Sequence, residues 1–165
     1  TAAREETALV EVLFADALVM SDRALVPEGA SLLDVGSGGG APTLPFALLR
    51  GDVRLAMLEP LRKRIAFLRT AIGTLDIADR VRAIEGRLDR RAVAAAAGDY
   101  AVSSARATFA PGEWLPMGLE LAPACLVFTV DEPPVAPAGT RLAHRVDYAL
   151  PWSGAPRVLA RYERI

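Results

Sequence analysis

The chain has one cysteine, one histidine and one lysine, and it contains no asparagine or glutamine. A lone cysteine, Cys125, forms no internal disulfide. Together with His144 it leaves too few ligands for a structural zinc site, so no metal is expected. Cys125 sits in the apolar stretch Cys125 to Val130, which is the setting of a buried core residue rather than a nucleophile. No apolar run reaches the roughly 18–20 residues of a membrane span. Thr1 to Thr7 carries charges where a signal peptide has a basic and then an apolar segment. These absences predict a cytoplasmic protein with no membrane partner. Lys63 is the only cation that is not arginine, a bias expected of a genome rich in Ala, Arg, Gly and Pro codons. A net charge of −1 neither requires nor forbids a nucleic-acid partner, because a basic stripe can be balanced by acids elsewhere.

What is present is a soluble globular composition: 165 residues, 52 % of them hydrophobic, enough for one domain with a sizeable core. Ala2 to Val19 places Leu9, Val12, Leu13, Phe14 and Leu18 among acids, as an amphipathic helix does. A second short helix to Val26 is expected to stop at Pro27 and Gly29. From there strands at 31–35, 53–58, 80–85, 99–104 and 124–130 alternate with helices at 42–50, 60–73, 89–97 and 113–121. This alternation predicts a mostly parallel sheet with helices on both faces. After the Pro-rich segment 132–139, Arg141 to Leu150 and Arg157 to Ile165 read as an antiparallel C-terminal hairpin closing a seven-stranded, Rossmann-like α/β fold. Residues 1–28 then form a helical cap on a core at 29–165 within a single domain.

The chemistry is concentrated where the first strand ends. Leu32-Leu33-Asp34-Val35-Gly36-Ser37-Gly38-Gly39-Gly40 breaks from an apolar strand into a turn with three consecutive glycines, where a backbone can approach a ligand closely. The following helix points its N–H groups at whatever fills the turn. Glu59 ends the next apolar run, where a carboxylate can accept hydrogen bonds from two ribose hydroxyls. Gly36-x-Gly38-x-x-Ala41 formally fits a dinucleotide fingerprint, a weak match on its own. Asp34, inside the strand, is poorly placed beside a pyrophosphate and well placed beside an ammonium and a sulfonium. That favours S-adenosylmethionine and methyl transfer over NAD and hydride transfer, with an unliganded tight turn as the bland alternative.

These segments, with Pro42 and Pro45, with Leu58-Glu59-Pro60-Leu61-Arg62-Lys63-Arg64-Ile65-Ala66-Phe67-Leu68-Arg69 and with Gly86-Arg87, resemble the glucose-inhibited division protein B family. The likeness covers roughly residues 30–130, and the Glu-x-x-x-Lys-Arg-x-x-Phe-Leu spacing is its most distinctive part. The resemblance implies a class I methyltransferase fold and a bacterial enzyme that uses S-adenosylmethionine to methylate guanine N7 in small-subunit ribosomal RNA; a monomer is expected. It implies a cofactor site at Asp34, Gly36, Ser37, Gly38, Gly40, Glu59, Pro60 and Ser104, with Gly86, Arg87 and Leu88 near the adenine. Ser104-Ala105-Arg106-Ala107 stands for a family Ser-Arg-Ala segment with one extra residue, and Arg106 would face the reacting base or its phosphate.

Guanine N7 has a lone pair and no proton, so alignment matters more than a general base. Accordingly the chain has no Asp/Asn-Pro-Pro-aromatic motif after the fourth strand and no Pro-Cys pair. It departs from the family at Ala41 and Thr43, and in Leu13-Phe14-Ala15-Asp16-Ala17, where only Phe14 and Asp16 of a His-Phe-x-Asp-Ser segment are kept. Thr129-Val130-Asp131 stands where a lysine is expected, and the N-terminus begins late for the family. A small-molecule acceptor and a cofactor-binding protein without turnover therefore stay open. Lys63, Arg64 and Arg69 read equally as a solvated helix face or a phosphate-contacting patch. Arg145, Arg157, Arg161 and Arg164 read as surface strand positions, and Trp114 and Trp152 as core or loop packing.

Overall fold

The computed structural model describes residues 10–88 and 100–165 of the chain. A five-residue π-helical turn, Glu11–Ala15, runs into α1 (Asp16–Met20). The elements β1 (Ser31–Val35), α2 (Thr43–Leu49), β2 (Arg54–Glu59), α3 (Arg62–Thr74), β3 (Val81–Glu85), β4 (Val102–Ala105), α4 (Pro111–Leu121), β5 (Ala124–Thr129), β6 (Thr140–Ala149) and β7 (Pro156–Arg164) follow. The expected helix at 89–97 and the start of the N-terminal helix lie outside the described residues.

Seven strands make one sheet in the order β3-β2-β1-β4-β5-β7-β6. The first five pair in parallel, and β7 runs antiparallel to both β5 and β6. The hairpin thus joins the sheet through its second strand, because Ala124–Thr129 pairs with Val158–Glu163. The period-2 alternation of the inner strands divides the core into two layers. Leu32, Leu55 and Met57 pack with Phe46, Leu68 and Ile72 of α2 and α3 and with Ala17 and Met20 of α1. Leu33, Val35, Ala56 and Leu58 face the layer held by Trp114, Leu115 and Leu119 of α4. Full burial of each such large side chain contributes about 1.5–3 kcal/mol. Helices therefore cover both faces, as the alternation predicts.

The α4 layer sits very close to the sheet. A Cβ on Gly118 would lie 2.4 Å from Cys125 Sγ and 2.9 Å from Ser103 Oγ, so only glycine permits this approach. The helix begins at Pro111, before the expected 113, because proline's fixed φ suits the first helical position. One expected element is absent: residues 21–26 turn rather than continue as a helix. Asp22 Oδ1 accepts the Ala24 N–H at 2.9 Å, a local side-chain closure that competes with helix propagation.

Candidate active site

The sheet order reverses between β1 and β4, and the crevice outside the carboxyl ends of strands at such a point is where α/β folds bind ligands. Here β1 runs into the glycine loop. Gly36, Gly38 and Gly40 all have positive φ, at 73°, 57° and 89°. At two of them the need for glycine is also steric. A Cβ on Gly36 would stand 2.3 Å from Thr108 Oγ1, and one on Gly40 would stand 2.5 Å from Leu44 Cδ1.

The loop is stapled to β2. Gly36 N–H and Ser37 N–H both donate to the Leu58 carbonyl at 2.8 and 3.2 Å. Glu59 Oε2 accepts Gly38 N–H at 2.9 Å and Oε1 accepts Leu61 N–H at 3.0 Å. Arg64 Nη1 stands 3.8 Å from Oε1, and the Glu59 side chain is only 1 % exposed. The carboxylate expected to meet a ribose is thus the clip that shapes the loop, with one lone pair left on each oxygen.

Beneath the loop lies a buried polar cluster. Asp34 Oδ2 accepts the Thr43 hydroxyl at 2.6 Å and Oδ1 accepts the Ser104 hydroxyl at 2.9 Å. Burial pushes the Asp34 carboxyl above the ordinary carboxylate range, opposed by the hydroxyls of Thr43, Ser37 and Ser104 and by the charge of Arg106. Neither Asp34 nor Ser104 lines the cleft above. Both tie β1 and β4 to the start of α2.

The cleft itself is a hollow of about 520 Å³, lined by Gly36 to Gly39, Ala41, Glu59 to Leu61, Arg64, Arg87, Arg106 to Thr108 and Leu13. It lies within the range of small-molecule sites, roughly 300–1,000 Å³. A side pocket of about 210 Å³ adjoins it through Gly36, Pro60, Arg87 and Thr108, and adds Gly86, Leu88, Leu58 and Phe109. On the other side of Arg106 and Ala107 a third hollow of about 370 Å³ is walled by Phe109, Phe128, Thr129, Asp131 and Arg157.

Gly36, Ser37, Gly38, Glu59, Pro60, Arg87 and Arg106 are thus brought together at the main cleft, and Gly86 and Leu88 at its side pocket. Gly40 turns the other way, onto an apolar groove with Leu13, Phe14 and Phe67. Sequence reasoning missed Thr108, whose hydroxyl lies within 3.4 Å of the Val35 and Gly36 carbonyls, and Leu13. No spacing signal pointed to either. For Arg64, which reads in sequence equally as a helix face or a phosphate contact, the position five residues after Glu59 and in the first turn of α3 is the available clue.

Arg106 follows β4 and forms an ion pair through Nε with Asp16 Oδ2. Asp16 Oδ1 accepts the Tyr148 hydroxyl at 2.7 Å. Several other singled-out side chains hold structure. Trp114 is buried, donates Nε1–H to the Leu126 carbonyl at 2.8 Å and stacks on Phe109. Arg145 is held by Glu132 and Asp147, Arg161 by Glu163 and the Ala24 carbonyl, and Arg164 by the Leu119 carbonyl. Burial pushes the Cys125 thiol up to about 12. Trp152 lies exposed in the β6–β7 turn. A hollow of about 420 Å³ at the opposite edge of the sheet contains Arg80 and Arg82, but they are engaged with the Ala47 carbonyl and the Tyr100 hydroxyl. Among the described residues no helix is long and apolar enough to cross a membrane.

Comparison with known proteins agrees with this geometry. Residues 1–113 match the family described as GidB, rRNA small subunit methyltransferase G. Ribosomal RNA small subunit methyltransferase G of Frankia alni is 39 % identical over 83 residues, which are 50 % of this chain and 32 % of that protein. The protein of the same name from Corynebacterium efficiens is 39 % identical over 95 residues, 58 % of this chain and 40 % of that one. The matched stretch spans about a third of the length of these curated relatives. Among solved structures, a SAM dependent methyltransferase from Aquifex aeolicus superposes with a TM-score of 0.62 at 14 % identity, over 96 % of this chain and 93 % of its own, which shows the shared fold. With the glycine loop, its Glu59 clip and more than half of its residues inside the family match, this chain belongs to the GidB family, the rRNA small subunit methyltransferases G.

Proposed function

We propose that the cleft binds S-adenosylmethionine and that the protein transfers its methyl group to N7 of a guanine in small-subunit ribosomal RNA, in the cytoplasm. The observation that carries this reading is the Glu59-clipped glycine loop at the sheet's switch point, continuous with a side pocket at Gly86 to Leu88, in a chain of this family.

The residues present suit such a nucleoside. The side pocket offers the Leu58, Leu88 and Phe109 side chains and the backbone at Gly86 to a flat base. The main cleft offers the backbone of Gly38 and Gly39, bare of side chains, and the remaining lone pairs of Glu59 to a ribose. When bound, the cofactor supplies an electrophilic methyl group on a sulfonium. The chain's own work is to hold and align. Arg106 stands between the cofactor cleft and the hollow walled by Phe109, Phe128 and Arg157. There a guanidinium can meet a phosphate or the O6 edge of a guanine, with the two phenylalanines as apolar walls for the base. No general base is required, since N7 carries no proton. The buried Asp34–Thr43–Ser104 cluster fixes the loop's floor. Thr43, one of the departures from the family pattern, supplies one of the two hydroxyls Asp34 accepts.

The reading is tested by adding the protein and methyl-labelled S-adenosylmethionine to small subunits lacking the guanine-N7 mark. It expects label in the RNA and new strand scission after reduction and aniline treatment. Label in a small molecule only, or cofactor binding in calorimetry with no transfer to RNA, would overturn the RNA half. Absence of S-adenosylhomocysteine binding at millimolar concentration would overturn the whole.

A further inference from the structure

Arg106 is an arginine on a loop, and a free arginine side chain carries about 2 kcal/mol of rotamer entropy that a substrate must overcome to be gripped by it. Two residues from distant parts of the chain remove that freedom. Asp16, the first residue of α1, is 2 % exposed. One of its oxygens pairs with Arg106 Nε and the other accepts the Tyr148 hydroxyl from β6. We propose that Asp16 and Tyr148 are positioning residues that hold the Arg106 guanidinium at the boundary between the cofactor cleft and the acceptor hollow. The inference rests on the methyltransferase reading for what Arg106 then grips, and it goes beyond the family match, which ends at residue 113 and does not reach Tyr148.

The arrangement has a clear division of labour. A carboxylate with only an arginine partner would swing with it. A second hydrogen bond from a strand of the sheet fixes the plane of the carboxylate and, through Nε, the plane of the guanidinium. Burial and the Asp16 charge push the Tyr148 phenol up, so it stays a proton donor throughout the physiological range. The Arg106 side chain itself remains 25 % exposed, and it lines both hollows. The rest of the guanidinium is thus presented to a ligand while Nε is anchored.

The experiment compares Tyr148→Phe in the native sequence and in an Arg106→Ala background, with undermethylated small subunits as acceptor. In the native background the expected result is a KM for subunits raised roughly 10- to 150-fold, the size of one lost hydrogen bond to a charged group, with S-adenosylhomocysteine affinity unchanged. In the Arg106→Ala background the same substitution adds nothing. An equal effect in both backgrounds, or no effect in the first, overturns the proposal. A second readout needs no acceptor: the Arg106 Nε–H resonance should be sharp and slow to exchange in the native protein and should broaden in Tyr148→Phe. Failure of the native protein to methylate subunits would refute the methyltransferase reading, whereas an Arg106 resonance indifferent to Tyr148 would refute this inference alone.

Discussion

Replacing Glu59 by glutamine changes almost no volume, yet it strikes the side chain that clips the glycine loop. In the native protein the carboxylate accepts Gly38 N–H at 2.9 Å and Leu61 N–H at 3.0 Å while 1 % exposed. A carboxamide keeps one acceptor oxygen and turns an NH₂ donor toward the other N–H. One charge-assisted bond is lost and a buried donor faces a donor, a cost of about 1.5–3 kcal/mol. For a chain of this length each kcal/mol lowers Tm by roughly 2–4 °C, so Glu59→Gln should melt roughly 3–12 °C lower. If the ligand must re-form the loop, the same energy appears in binding, and S-adenosylhomocysteine affinity should fall roughly 10- to 150-fold. Differential scanning calorimetry and titration calorimetry on the two proteins read both quantities. A Glu59→Gln variant with native Tm and native affinity would refute the claim that this carboxylate organises the loop.

Gly118→Ala should destabilise the fold. The gain in helix propensity of about 1 kcal/mol is outweighed by overpacking of about 1–3 kcal/mol, since the new Cβ would lie 2.4 Å from Cys125 Sγ. A raised urea midpoint would contradict that packing. Cys125, with its thiol buried and pushed up to about 12, should resist thiol reagents in the native protein and react only on unfolding; labelling of the folded chain at neutral pH would count against it. Glu11 accepts the N–H groups of Ser153 and Trp152 in the β6–β7 turn, and the Ser153 N–H chiefly holds its carboxyl below the usual 4.5. The folded pKa is depressed, so the stabilisation is complete above about 4.5 and is lost as pH falls through the lower, folded value. Tryptophan emission should therefore show an acid transition below the usual carboxylate range that Glu11→Gln abolishes; identical titrations of the two proteins would disprove the link.

Much of this architecture was legible because period-2 apolar strands and 3.6-residue helices leave direct marks. Leu32 and Leu33 already belong to opposite faces by their parity, and Ile65, Leu68 and Ile72 fall on one side of a helix. The glycine loop was legible too, since positive φ and close approach select glycine at 36 and 40. What the pattern could not convey was direction. Asp34 and Glu59 both read as ligand contacts, because a carboxylate at a strand end looks the same in sequence whether it faces a cleft or the protein. The structure turns Asp34 downward onto Thr43 and Ser104, and it spends Glu59's first lone pairs on the loop backbone. Parity alone puts Asp34 on the face of Leu32, under α2, and reading it would have placed the residue correctly. The order of the last two strands was hidden for another reason: a hairpin can join a sheet through either strand. The Asp16–Arg106–Tyr148 contact unites three elements with no local sequence relation, so no spacing rule could have shown it.

The central claim is that the crevice above the Glu59-clipped loop is the cofactor site, and a structure of the protein with S-adenosylhomocysteine tests it most directly. The account predicts adenine in the side pocket against Gly86 to Leu88 and Phe109, ribose over Glu59 and Gly38, and sulfur directed toward Arg106. Density for the nucleoside at any other edge of the sheet, or a cleft still empty at saturating ligand, would contradict it.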